Sequence, residues 1–148
     1  MSKDINIKNK KAYFDYEFII EEIAGMILFG SEIKSIRQGN ASIKEAYCRI
    51  DDGEMIIVGM HIAEFKQANR NNHEPYRNRK LLLTKKQIEK FEKNVSQKGL
   101  TLVPLKLFID KRGYAKLKIA LCRGKKEYDK RATIKERDVK RDLDRSLK

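Results

Sequence analysis

The run Ala46-Tyr47-Cys48-Arg49-Ile50-Asp51-Asp52-Gly53-Glu54-Met55-Ile56-Ile57-Val58-Gly59-Met60-His61-Ile62 decides the fold class. Two apolar segments, Ala46 to Ile50 and Met55 to Ile62, meet at an Asp-Gly pair, the dipeptide that most readily adopts the positive φ angles of a tight hairpin turn. A β-hairpin is the expectation. Downstream, Leu100 to Ile109 and Tyr114 to Leu121 read as two more strands joined through Asp110-Lys111-Arg112-Gly113, with Lys116 and Lys118 alternating against Leu117, Ile119 and Leu121. Pro104 lacks a ladder donor and predicts an edge position or a bulge. Upstream, Phe14, Tyr16, Phe18 and Ile20 fall on alternate positions around Asp15 and Glu17, predicting a strand over Tyr13 to Ile20, and Ala24 to Phe29 continues the apolar run.

Two helices interrupt the strands. Gly30-Ser31 opens the first, with Ser31 as N-cap, Ile33 and Ile36 on one face, and Gly39 at its end. Thr84-Lys85-Lys86-Gln87 has the form of a capping box, Leu83 and Ile88 make the matching staple, and Ile88, Phe91 and Val95 share the buried face of a helix that Gly99 ends. Between them, Phe65 to Arg79 is poor in large apolar residues and rich in Asn, and reads as a long basic loop. Short antiparallel strands with two helices predict a mainly β protein, an antiparallel β-barrel like the oligonucleotide-binding (OB) fold with short peripheral helices.

A chain of 148 residues fits one domain able to bury its core without metals or disulfides. No run of eighteen apolar residues occurs, and Met1 to Lys11 lacks the apolar stretch of a signal peptide, so a cytoplasmic location is expected. Cys48 and Cys122 lie in separate strand-like runs and read as buried, reduced thiols. The net charge of +13, with pI ≈ 9.7, points to a polyanion. Its distribution is uneven: residues 66 to 86 and 123 to 148 hold eleven of the thirteen excess positive charges, as two phosphate-facing regions would.

Residues 123–148 carry too few apolar groups to build a core and form a basic tail beyond a domain spanning 1–122. Val139, Leu143 and Leu147 recur every four residues and permit a thin amphipathic helix, but Arg137, Arg141 and Arg145 share the same spacing and oppose it by roughly 0.2 to 0.5 kcal/mol per like-charged pair. Phosphates would reverse that repulsion. The tail is therefore expected to be disordered when free and helical on RNA.

Covalent chemistry finds no support in these residues. His61 and His73 stand in no metal or nucleophile motif with either cysteine, and the glycines form neither a Walker loop nor a dinucleotide fingerprint. Asp51, Asp52 and Glu54 cluster in a turn, where acids serve the backbone. The expectation is a protein that is not an enzyme, with no cofactor and no metal site.

Several blocks, taken in order, carry a family resemblance: Asn9-Lys10-Lys11-Ala12, Ala24-Gly25 to Leu28, Gly30-Ser31-Glu32-Ile33-Lys34-Ser35-Ile36-Arg37-Gln38-Gly39, Asp52-Gly53-Glu54, His61-Ile62, Pro75-Tyr76-Arg77-Asn78-Arg79-Lys80-Leu81-Leu82-Leu83, Gly99 to Leu105, and Gly124-Lys125-Lys126-Glu127-Tyr128-Asp129-Lys130-Arg131. Over residues 9 to 141 the chain resembles the SmpB family of SsrA-binding proteins. The resemblance implies a bacterial trans-translation factor whose barrel holds the tRNA-like domain of transfer-messenger RNA (tmRNA, SsrA RNA). With elongation factor Tu it would bring that RNA to stalled ribosomes, and its tail would occupy the decoding centre of the small subunit and the empty mRNA channel, becoming helical there. A monomer when free is expected, with no membrane partner.

By position, the resemblance assigns Asn9, Glu32, Lys34, Leu82, Lys116, Gly124 and Lys125 to the tmRNA-facing surface, and Tyr128, Asp129, Lys130, Arg131, Arg137 and Arg141 to the ribosome-binding tail. Leu82 is open between core packing and RNA contact, and Tyr128 between stacking on a ribosomal base and mere exposure. One position departs from the family: many members have Glu immediately before the Ala-Gly pair, whereas this chain has Ile23 there and its acid at Glu22, so that contact is not carried over. The residues taken without the resemblance leave open a basic ribosomal or initiation-type RNA-binding protein.

Overall fold

The computed structural model describes residues 5–95 and 99–125. In chain order the elements are β1 (Asn6–Lys8), α1 (Lys10–Asp15), β2 (Tyr16–Met26), α2 (Gly30–Arg37), β3 (Ala41–Ser42), β4 (Tyr47–Asp51), β5 (Glu54–Val58), β6 (His61–Ile62), a 3-10 helix (Lys66–Asn71), β7 (Arg79–Leu82), α3 (Lys85–Val95), β8 (Leu100–Ile109) and β9 (Ala115–Gly124). The strands β8, β4, β5, β7, β2 and β9 pair in that order, and β9 pairs back onto β8, so the sheet closes into an antiparallel barrel. Closure leaves no long edge to be protected. β1 adds to β8 at Lys106–Phe108, beyond the point where β4 meets Leu102.

The hairpin around Asp52-Gly53 forms as expected: Asp51 pairs with Glu54, and Asp52 and Gly53 both take positive φ, 48° and 75°, as a two-residue type I′ turn requires. Its second apolar run is divided, however. Gly59, at φ 79°, breaks the ladder after Val58, and His61–Ile62 pairs with Ala41–Ser42 in a separate small sheet.

Two bulges set which faces are buried. In β8 the register shifts between Pro104 and Lys106, so Leu102 and Leu107, an odd number of residues apart, both face the barrel interior, while Val103 and Leu105 face a second apolar cluster outside it. The expected bulge at Pro104 is thus present. In β2 a similar shift between Phe18 and Ile20 sends Phe18 to the outer cluster and Ile20 to the core, and Tyr13 to Asp15 belong to α1, so the single face drawn through Phe14, Tyr16, Phe18 and Ile20 does not exist. Helix α1 covers the outer cluster with Ala12, and α3 sets Phe91 against the core. In β9, Leu117, Ile119 and Leu121 point inward and the strand runs on past Leu121 to Gly124.

The α3 capping box is complete: Gln87 N–H donates to Thr84 Oγ1 at 3.2 Å and Thr84 N–H to Gln87 Oε1 at 2.8 Å. The cap of α2 is not the one expected. Its N-cap is Phe29, one turn is closed by Phe29 N–H donating to Glu32 Oε1 at 2.8 Å, and Ser31 lies inside the helix with its hydroxyl 2.8 Å from His73 Nδ1. The stretch expected as a plain loop contains the 3-10 helix and starts β7 at Arg79.

Cys48 and Cys122 are free and buried. Burial pushes both thiols up, Cys122 to about 12. Among the described residues no group of three His, Cys, Asp or Glu is placed to hold a metal ion, and no helix is long and apolar enough to cross a membrane.

Candidate nucleic-acid interface

Gly25 in β2 lies between Leu82 of β7 on one side and Lys116 of β9 on the other. A Cβ at this position would stand 3.3 Å from Leu82 Cβ and 3.7 Å from Lys116 Nζ. The missing side chain opens a groove of about 530 Å³ across the barrel wall. Its rim carries Arg37 from α2 and Arg112 and Tyr114 from the β8–β9 connection, together with Lys116, and among the described residues no carboxylate lines it. Leu82 is 51% exposed and Tyr114 65%. Leu82 is therefore groove surface and not core.

The turn that presents Arg112 and Tyr114 is built locally: Asp110 Oδ1 accepts from Arg112 N–H and Tyr114 N–H, both at 2.9 Å, and Gly113 takes φ 89°. Arg37 Nη2 donates to the Gly113 carbonyl at 3.2 Å and ties α2 to that turn. Flat cationic and aromatic groups beside an apolar floor suit a nucleic acid, whose phosphates take the charges and whose bases take the apolar contacts.

Beneath α2 lies a buried ion-pair network. Arg79 is fully buried; its Nε donates to Glu32 Oε2, its Nη1 to the Met60 carbonyl at 2.8 Å, and its Nη2 to the carbonyls of Glu74 and Pro75 at 3.4 and 3.1 Å. Glu32 Oε1 accepts from Arg77 Nη2 at 2.6 Å. Burial pushes the Glu32 carboxyl up, but donation from Arg77, the Phe29 N–H and Arg79 outweighs it and holds the group below the usual carboxylate range. With no exposed oxygen, Glu32 holds Arg77 and Arg79 from beneath and offers the surface no acceptor of its own.

The residues assigned from the sequence fall in three places. Leu82 and Lys116 meet in the groove. Glu32 and Lys34 are on α2, the first buried and the second exposed, with Lys34 Nζ 5.6 Å from the Phe65 ring centroid. Asn9, Gly124 and Lys125 sit at the α1 end of the barrel, about 25 Å along β9 from Lys116. There Asn9 is buried and caps α1, accepting from Ala12 N–H at 3.2 Å and donating to the Pro104 carbonyl at 3.0 Å, while Lys125 N–H donates to the Asp15 carbonyl at 2.8 Å. Tyr128, Asp129, Lys130, Arg131, Arg137, Arg141 and the expected tail helix lie outside the described residues.

At the departure from the family pattern, Ile23 is exposed, whereas Glu22 faces α3, accepting from Gln87 Nε2 at 3.0 Å and Lys90 Nζ at 3.2 Å. The acid has moved to the other face of the strand. Arg37, Arg112 and Tyr114 were missed in the sequence. The Lys111-Arg112 pair in a four-residue turn was a signal for the second of them.

Barrel and groove define a class: a small antiparallel β-barrel protein with a cationic, aromatic-edged groove of the kind that holds nucleic acid. Residues 6–148 match the family model described as SmpB protein, and the chain belongs to the SmpB family. It is 51% identical over 148 residues to the SsrA-binding protein of Christiangramia forsetii, spanning 100% of this chain and 94% of that one. It is 52% identical over 144 residues to the SsrA-binding protein of Phocaeicola vulgatus, covering 97% and 96%. Among solved structures, a chain from "tmRNA-SmpB: a journey to the center of the bacterial ribosome" superposes with a TM-score of 0.70 at 41% identity, covering 83% of this chain and 86% of that one.

Proposed function

We propose that this chain binds the tRNA-like domain of tmRNA and serves in trans-translation. The observation that carries the reading is the groove over Gly25, where Arg37, Arg112 and Lys116 gather with exposed Leu82 and, among the described residues, no opposing carboxylate, in a member of the SmpB family. The barrel grips RNA by shape and phosphate contact and performs no covalent chemistry. The tail beyond Lys125 acts separately, entering the decoding centre and the vacant mRNA channel of a stalled ribosome and taking helical form among its phosphates. Delivery proceeds with elongation factor Tu, from a cytoplasmic and monomeric free state.

A truncation ending at Lys125 tests the division of labour. It keeps every strand of the barrel. The shortened protein is expected to bind tmRNA with full affinity and to fail in tagging nascent peptides on stalled ribosomes. Loss of RNA binding together with tagging would refute the division.

A further inference from the structure

Phe29 occupies the N-cap of α2, where Ser, Thr, Asp or Asn is favoured because a side-chain oxygen can take an unpaired helix N–H. A benzene ring offers no such oxygen; the side-chain bond at this cap runs the other way, from Phe29 N–H to Glu32 Oε1. Core packing does not account for the ring either, since Phe29 is 56% exposed. Its neighbour is Arg77, whose guanidinium carbon lies 4.2 Å from the ring centroid. That guanidinium is fixed from two further directions, to Glu32 Oε1 at 2.6 Å and to the Ile27 carbonyl at 3.4 Å. Ile27 itself lines the groove. Ring and guanidinium thus stand as a paired aromatic and cation that adjoins the groove at Ile27.

We propose that Phe29, backed by Arg77, is a stacking platform for one unpaired nucleobase of the RNA held in the groove. The proposal rests on the RNA reading of the groove. A base supplies a π face for the open side of the ring, and its phosphate supplies the charge that the guanidinium and the rim cations attract. The pair is already locked by Glu32, so the ligand need not order it.

The test uses the full chain and the transcribed tRNA-like domain of tmRNA, with affinity measured across a salt series for wild type, Phe29→Leu, Phe29→Trp and Lys116→Gln. Phe29→Leu is expected to weaken binding about 5- to 150-fold, the range for losing one stacked base. Its dependence of log K on log salt should stay that of wild type, because a phenyl ring neutralises no phosphate. Phe29→Trp should retain wild-type affinity. Wild-type affinity in Phe29→Leu would overturn the platform, as would equal losses in the Leu and Trp variants, which would mark Phe29 as a packing residue. A fall with Phe29→Leu while Lys116→Gln leaves affinity and salt slope untouched would support the platform and sink the groove as the phosphate site. Absence of binding by the wild type would sink both.

Discussion

Arg79 and Glu32, 47 residues apart in sequence, form an ion pair from which water is excluded on both sides, with each side chain at 0% exposure. The pair joins β7 to α2 and so fixes the helix that borders the groove. Each Arg79 guanidinium nitrogen donates, to Glu32 and to three main-chain carbonyls, which offsets the cost of burying a charge.

Glu32→Gln preserves the shape and leaves Arg79 buried without a counter-ion. A loss of about 3–5 kcal/mol is expected, read as a lower urea midpoint at unchanged slope. A loss below about 1 kcal/mol would mean that water reaches the guanidinium.

The same pair sets a pH dependence. Although burial alone raises it, the Glu32 carboxyl is held below its usual value by its donors. A depressed folded pKa gives a contribution complete above the unfolded value of about 4.3 and lost as pH falls through the folded one. The stability gap between wild type and Glu32→Gln should hold constant from about pH 6 to 8 and close under acid. A gap that widens on acidification would contradict this sign.

Leu82→Ser separates groove from core. Half of that side chain is already in water, so unfolding free energy should change by no more than about 0.5 kcal/mol while affinity for the tRNA-like domain falls. A destabilisation of about 2 kcal/mol or more would return Leu82 to the core.

Arg112→Gln removes one cation from the rim. Binding should weaken, and the magnitude of the salt slope should drop by about one. An unchanged slope would place Arg112 away from phosphate.

Both thiols should be silent in the folded protein. With burial raising both thiols, Cys122 to about 12, a thiol reagent at pH 8 meets almost no thiolate; labelling of both is expected only in denaturant. Rapid labelling of native protein would show that the barrel opens.

Local chemistry carried much of the fold in plain view. Asp52-Gly53, the Thr84–Gln87 box and the alternation of Lys116 and Lys118 against Leu117, Ile119 and Leu121 each act over a few residues, and each formed as read. The failures were also specific. Tyr13 to Asp15 alternate like a strand but follow Asn9, whose side chain caps a helix, and the β2 bulge then inverts the pattern beyond Phe18. Ser31 looked like a cap until its hydroxyl proved to be engaged by His73, 42 residues away.

By itself the sequence determined the β4–β5 and β8–β9 turns, helix α3 with its cap, the surplus of positive charge and the motif order that marks the family, because each depends on residues close along the chain or on composition alone. Only the tertiary structure decided that Gly25, Leu82 and Lys116 meet in one groove, and that Arg79 is buried against Glu32. Those contacts depend on the register of strands far apart in sequence, where a shift of one residue turns every side chain to the opposite face.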